Sequence, residues 1–117
     1  MTSKDDSVFI EHVLDSIRAI EDFSKGLSKE KLISNRLKKS AIIREIEVIG
    51  EAVKNISESL KNSHKEIGWK EISGTRDKMI HHYFGVDMDI VWNIIKKDLP
   101  DLKTKMLKIK QDLKEIK

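Results

Sequence analysis

The sequence predicts an all-α protein, an up-and-down antiparallel bundle of five or six helices. Composition is the first observation: hydrophobic residues are 38% and charged residues 37%, with one proline and five glycines. That balance suits helices that each carry one apolar stripe and a broad charged face. Second, apolar residues recur at helical spacing along most of the chain. Third, no run rich in Val, Ile, Thr and aromatics, bounded by turn residues, reads as a strand. The 117 residues suit one domain, 1–117, with a single core.

Each element follows from its own pattern. Phe9, Val13, Leu14, Ile17, Ile20 and Phe23 form an apolar stripe, which predicts a helix over about 5–24. Gly26 breaks it. Ser28 opens a Ser-Lys-Glu-Lys pattern suited to capping a short helix. A long helix is expected over about 35–60, with Ala41, Ile42, Ile46, Ile49, Ala52, Val53 and Ile56 on its buried face. Residues 61–64 read as a loop. The next helix, from about Glu66, turns Trp69, Ile72, Met79 and Ile80 inward and reaches a cap at Gly85. Asp87 suits the cap of a helix bearing Ile90, Val91, Ile94 and Ile95. Pro100 suits the first turn of a last helix with Leu102, Met106, Ile109 and Leu113. Short connections favour antiparallel neighbours.

The charge is unevenly spread. Residues 1–24 hold two basic and six acidic side chains, and residues 25–44 hold seven basic and one acidic. From Lys96 onward there are eight lysines against four acids. Basic segments attract nucleic acid, but helix faces laced with charge pairs give the same count. There is no cysteine, so disulfides, thiol nucleophiles and thiolate zinc sites are excluded. The polar, acidic start is unlike a signal peptide, and no apolar run reaches membrane-spanning length. A cytoplasmic protein with no membrane contact is the expectation. Glu45, Glu47 and Glu51 could suggest a di-metal bundle site. Such sites use Glu-x-x-His, and none of the three has a histidine three residues on. No metal site is expected; Glu45 or Glu51 can instead form a buried pair with a basic residue.

The chemistry concentrates in Arg76-Asp77-Lys78-Met79-Ile80-His81-His82-Tyr83. Arginine holds phosphate, and histidine moves protons near neutral pH. On an ideal helix Arg76 and Tyr83 fall roughly 20° short of two turns apart and share a face, whereas His81 lies roughly 140° from Arg76. Catalysis by Arg76 and His81 therefore calls for a distorted helix end or a twofold axis that brings in a second copy. His12 and His64 read as ordinary polar histidines.

The Arg-x4-His-x-Tyr pattern at Arg76, His81 and Tyr83 resembles that of HepT-like toxins in the HEPN superfamily. So do the segments Glu45-Ile-Glu-Val-Ile-Gly-Glu-Ala52, Trp69-Lys-Glu-Ile-Ser-Gly-Thr-Arg76, His82-Tyr-Phe-Gly-Val-Asp87, Val91-Trp92 and Asp98-Leu-Pro100. The resemblance covers nearly the whole chain, and its ordered segments are more specific than the three-residue pattern. It implies an HEPN-like homodimer that cleaves RNA as the toxin of a toxin–antitoxin system, without a metal or other cofactor. It implies Arg76 and His81 as catalytic residues. Tyr83 would accept AMP from an MntA-like minimal nucleotidyltransferase antitoxin, which silences the enzyme. The family often has Asn where this chain has Asp77, so Asp77 is a candidate modulator that could pair with Arg76. The alternative implied function is a non-catalytic helical dimer that binds a nucleotide or the nucleotidyltransferase.

Overall fold

The computed structural model describes residues 4–79 and 85–115, apart from the side chain of Lys4. All regular structure among them is helical: α1 Lys4–Ser24, α2 Lys29–Ser34, α3 Arg36–Lys54, α4 Glu58–Ser63, α5 Trp69–Ser73, α6 Thr75–Met79, α7 Met88–Asn93 and α8 Leu99–Glu115. A π-helical turn, Ile94–Asp98, joins α7 to α8. No helix among these residues is long and apolar enough to cross a membrane.

The three long helices build the core. Ile10, Val13, Leu14, Ile17 and Ile20 of α1 are buried against Ile42, Ile46, Ile49 and Val53 of α3 and Met106 and Ile109 of α8. A fully buried side chain of this size contributes about 1.5–3 kcal/mol over an exposed one, so this stripe dominates the fold's stability. Polar contacts fix the directions. Asp6, at the start of α1, bonds Ser57, just beyond the end of α3, so these helices are antiparallel. Glu21 meets Lys103 and Glu11 meets Lys110, so α8 also runs antiparallel to α1.

Local signals set several boundaries as expected. Gly26, at φ 75°, lets the chain turn out of α1 in the left-handed region. Ser28 accepts from Lys31 N–H at 3.2 Å and caps α2, and Asp87 accepts from Asp89 and Ile90 N–H to cap α7.

The five or six expected helices become eight among the described residues, and residues 61–63, expected as loop, form the end of α4. The long helix does not reach Leu60. It ends at Lys54, because Ser57 is held by the buried Asp6 carboxylate and caps a new helix through its hydroxyl. The helix expected to carry the motif is interrupted at Gly74, between α5 and α6. Pro100 lies in the first turn of α8, as expected, but no loop separates that helix from α7. Proline lacks the N–H that an α-helix needs and crowds the preceding turn. The chain adopts the wider π turn, in which Leu99 N–H reaches Ile94 O, and helical backbone runs on from α7 into α8. The cap expected at Gly85 closes on residues outside the description; Gly85 itself has φ 101°.

Candidate functional site

Placement of Arg76 starts on α3. Its buried face includes Ile46, Ile49, Gly50 and Val53. A Cβ at Gly50 would lie 3.4 Å from the Ile72 carbonyl oxygen and 3.6 Å from that of Ser73. The α5 backbone thus packs on α3 at Gly50, at ordinary contact distance from a Cβ placed there. At the end of α5, Gly74 N–H donates to Lys70 O at 3.0 Å, and the Thr75 hydroxyl donates to Ile72 O at 2.8 Å. These bonds set the turn into α6, whose second residue is Arg76.

Arg76 reaches back to α3, where its Nε donates to Glu47 Oε2 at 3.1 Å. The other oxygen, Oε1, lies 3.9 Å from Arg44 Nη1, one helical turn earlier on α3. One carboxylate therefore stands between two guanidinium groups. The Arg76 and Arg44 side chains remain 67% and 71% exposed, and Glu47 is 27% exposed. Ion pairs this open contribute about 0–1 kcal/mol to stability. Their main consequence is orientation: the Nε edge of Arg76 is tethered, while its terminal nitrogens make no hydrogen bond among the described residues. A guanidinium held in this way can offer its outer edge to a phosphate.

The acid that meets Arg76 is thus Glu47. Of the two acids that could have formed a buried pair, Glu51 pairs with Lys54 on the surface and Glu45 makes no ion pair among the described residues. Asp77 is exposed and does not take the place of Glu47; its N–H bonds Gly74 O. His81, His82 and Tyr83 lie outside the described residues. Either side of that segment, Met79 O accepts from Asp87 N–H at 2.7 Å, so the described chain leaves α6 and returns at neighbouring points.

Other candidates resolve as ordinary structure. His12 is exposed and edge-on to Phe9. His64 Nδ1 lies 3.5 Å from Glu66, and its carbonyl accepts the Trp69 indole N–H. A cavity of about 230 Å³ is lined by Thr75 and Lys78 of α6 with Glu71, Asp98 and Lys105. Arg44, Glu47 and Arg76 take no part in its lining, so it is separate from the arginine pair. Among the described residues no group of three or more His, Asp and Glu is arranged to hold a metal ion.

The uneven charge is partly self-neutralised. Lys110 holds the Glu11 carboxyl below the ordinary glutamate range, chiefly through their hydrogen bond. Asp89 similarly raises Lys29 above the usual lysine range. With Lys103 on Glu21, the acidic α1 takes up part of the basic charge of α8. In 25–44, Arg44 shares its acid with Arg76.

Residues 13–109 match the HepT-like family, described as Ribonuclease HepT-like. The chain belongs to the HepT-like ribonuclease family. It is 40% identical over 103 residues to a Thermococcus cleftensis protein named "Probable ribonuclease HepT", covering 88% of this chain and 94% of that one. It is 41% identical over 115 residues to a candidate RNase of Methanocaldococcus jannaschii, covering 98% of this chain and 99% of the relative. A second M. jannaschii protein, named for γ-glutamylcyclotransferase and candidate RNase functions together, is 39% identical over 110 residues. The match takes in 94% of this chain but half of that relative's length. No solved structure matches significantly.

Within a HepT-like chain, sequence reasoning found Arg76 but missed its partners Glu47 and Arg44. The available signal was spacing. Glu47 follows Arg44 by three residues, a helical ion-pair interval, and precedes Gly50, where α5 makes its close approach, by the same interval.

Proposed function

We propose that this protein is an endoribonuclease and the toxin of a toxin–antitoxin pair, acting as a homodimer through Arg76 and His81 without a metal. The carrying observation is the near full-length HepT-like match combined with an Arg76 tethered on one edge and open on the other. In the proposed reaction the RNA 2′-hydroxyl attacks the adjacent phosphorus. The 2′-hydroxyl proton leaves to a base, the bond from phosphorus to the 5′-oxygen breaks, and that oxygen takes a proton from an acid. The products are a 2′,3′-cyclic phosphate and a 5′-hydroxyl. His81 serves in the proton transfers, a role worth about 10²–10⁴-fold in rate. Arg76 stabilises the charge that grows on the phosphoryl oxygens.

Control falls to Tyr83. Its hydroxyl would lose its proton and attack the α-phosphorus of ATP on an MntA-like nucleotidyltransferase, releasing pyrophosphate and leaving AMP on the ring. The added phosphodiester brings negative charge that competes with RNA for Arg76.

The test is incubation of the unmodified protein with RNA, and with DNA of the same sequence, in chelator. Arg76→Ala and His81→Ala run alongside. Cleavage of RNA alone, abolished by either change, is the expected result. Equal cutting of DNA would sink the 2′-hydroxyl mechanism. No cutting by the parent would favour a non-catalytic dimer that binds a nucleotide or the nucleotidyltransferase.

A further inference from the structure

We propose that Glu47 is a positioning residue that couples Arg76 to Arg44, making the two arginines one phosphate clamp along a single RNA strand. The proposal rests on the ribonuclease reading above, but its binding test stands apart from cleavage.

Three observations carry it. Both contacts use one carboxylate, with Arg76 Nε on Oε2 at 3.1 Å and Arg44 Nη1 by Oε1 at 3.9 Å. The two guanidinium groups are therefore neighbours although their residues lie on different helices. Glu47 is the least exposed of the three and stands on the long helix α3, a firmer base than the five-residue α6. Both arginines also remain open to solvent beyond the carboxylate. An arginine tethered through Nε keeps its terminal nitrogens for a phosphate in a fixed plane. An arginine on a free stem must lose rotamer freedom when RNA arrives. The cluster of two cations and one anion keeps a net charge of +1, enough to attract a strand. Glu47 thus holds the arginines together at some cost to the total attraction.

That division predicts opposite signs for binding and turnover. Binding is measured with a 2′-O-methyl RNA oligonucleotide, which cannot be cut, across a salt titration. Arg44→Ala and Arg76→Ala each lower the slope of log affinity against log salt by about 0.7, one phosphate contact on a single strand. Glu47→Gln removes the negative charge and tightens binding, while its amide oxygen still accepts from Arg76 Nε. In cleavage assays Glu47→Ala lowers kcat roughly tenfold without raising KM, and Glu47→Gln restores most of kcat. Thermal melts accompany every variant, because a loss of folded protein would by itself lower the apparent kcat at unchanged KM; Glu47→Ala must therefore lose kcat while it remains folded at the assay temperature. Glu51→Gln, which removes the surface pair with Lys54 on the same helix, is the control and leaves both readouts alone. A parental salt slope in Arg44→Ala, or parental kcat in Glu47→Ala, overturns the clamp. A parent that binds with the predicted slopes but never cleaves RNA overturns the ribonuclease reading and leaves the clamp standing.

Discussion

The buried Asp6 carboxylate is the sharpest point at which to perturb the fold. It accepts the Ser57 backbone N–H at 2.8 Å and the Ser57 hydroxyl at 2.6 Å, and it is fully buried. Hydrogen bonds to a charged group are worth about 1.5–3 kcal/mol each, and a buried donor left alone costs its desolvation as well. Ser57 is half-buried and can partly turn to water, so the lower end applies, about 3 kcal/mol for Asp6→Ala. Unfolding entropy of about 2.1 cal/mol/K per residue gives about 0.25 kcal/mol/K for 117 residues, hence a fall in Tm of about 12 °C. Far-UV circular dichroism melts measure it. Asp6→Asn keeps an amide oxygen for one of the two donors and should lose about half as much. Hydrogen exchange supplies a local check: the Ser57 amide should be slow in the parent and fast in Asp6→Ala. A fall in Tm below about 4 °C would refute the reasoning, because it would mean that water replaces both bonds.

Three further predictions test other links. Gly50→Ala should raise Tm by about 4 °C, since alanine favours a helix interior by about 1 kcal/mol and its Cβ meets the α5 carbonyls at ordinary contact distance; Gly50→Leu should displace α5 and lower both Tm and RNA cleavage. Glu11→Gln should be slightly less stable than the parent at pH 7. The Glu11 pKa is lowered from 4.5 by Lys110, so the pair's contribution is present above that value and lost as pH falls through the lowered one; melts of the two proteins should therefore converge in acid. The pair is solvent-exposed, so its full contribution is below about 1 kcal/mol. Tyr83→Phe should keep RNA cleavage but accept no AMP, read by intact-mass spectrometry after incubation with the nucleotidyltransferase and ATP; a modified and silenced variant would remove Tyr83 from control.

What was legible in the sequence was whatever local chemistry decides. The stripes on α1, α3 and α8 follow from spacing alone, and Ser28 and Asp87 cap helices because their side chains reach backbone N–H groups two or three residues on. What was not legible depended on distant partners. Nothing near Ser57 in sequence says that a carboxylate 51 residues earlier will hold it and end α3. Helical spacing likewise continues through Gly74, where the chain turns. Pro100 does stand in the first turn of α8, but nothing in the local pattern announced the π turn that joins α7 to it without a loop. The same limit governed the site. Arg76 could be singled out by its motif, but Glu47 became its partner only when α5 and α6 had folded onto α3.

That dependence gives the interruption at Gly74 a consequence for function. A straight helix from Glu66 to Gly85 would fix the direction of Arg76 by helical phase alone, and phase sets His81 roughly 140° away from it. Because α6 begins afresh after Gly74, the direction of Arg76 is set by a short chain of contacts: α5 packs on α3 at Gly50, the turn at Gly74 and Thr75 redirects the backbone, and Glu47 takes the Nε. The first and last of these steps are anchored on α3, which is itself buried against α1. Orientation of the arginine is thereby transferred from a five-residue helix to the most buried part of the fold. A change in α3 that never touches RNA, such as Gly50→Leu, should therefore impair cleavage as an arginine substitution does, while sparing the salt slope that Arg44 sets.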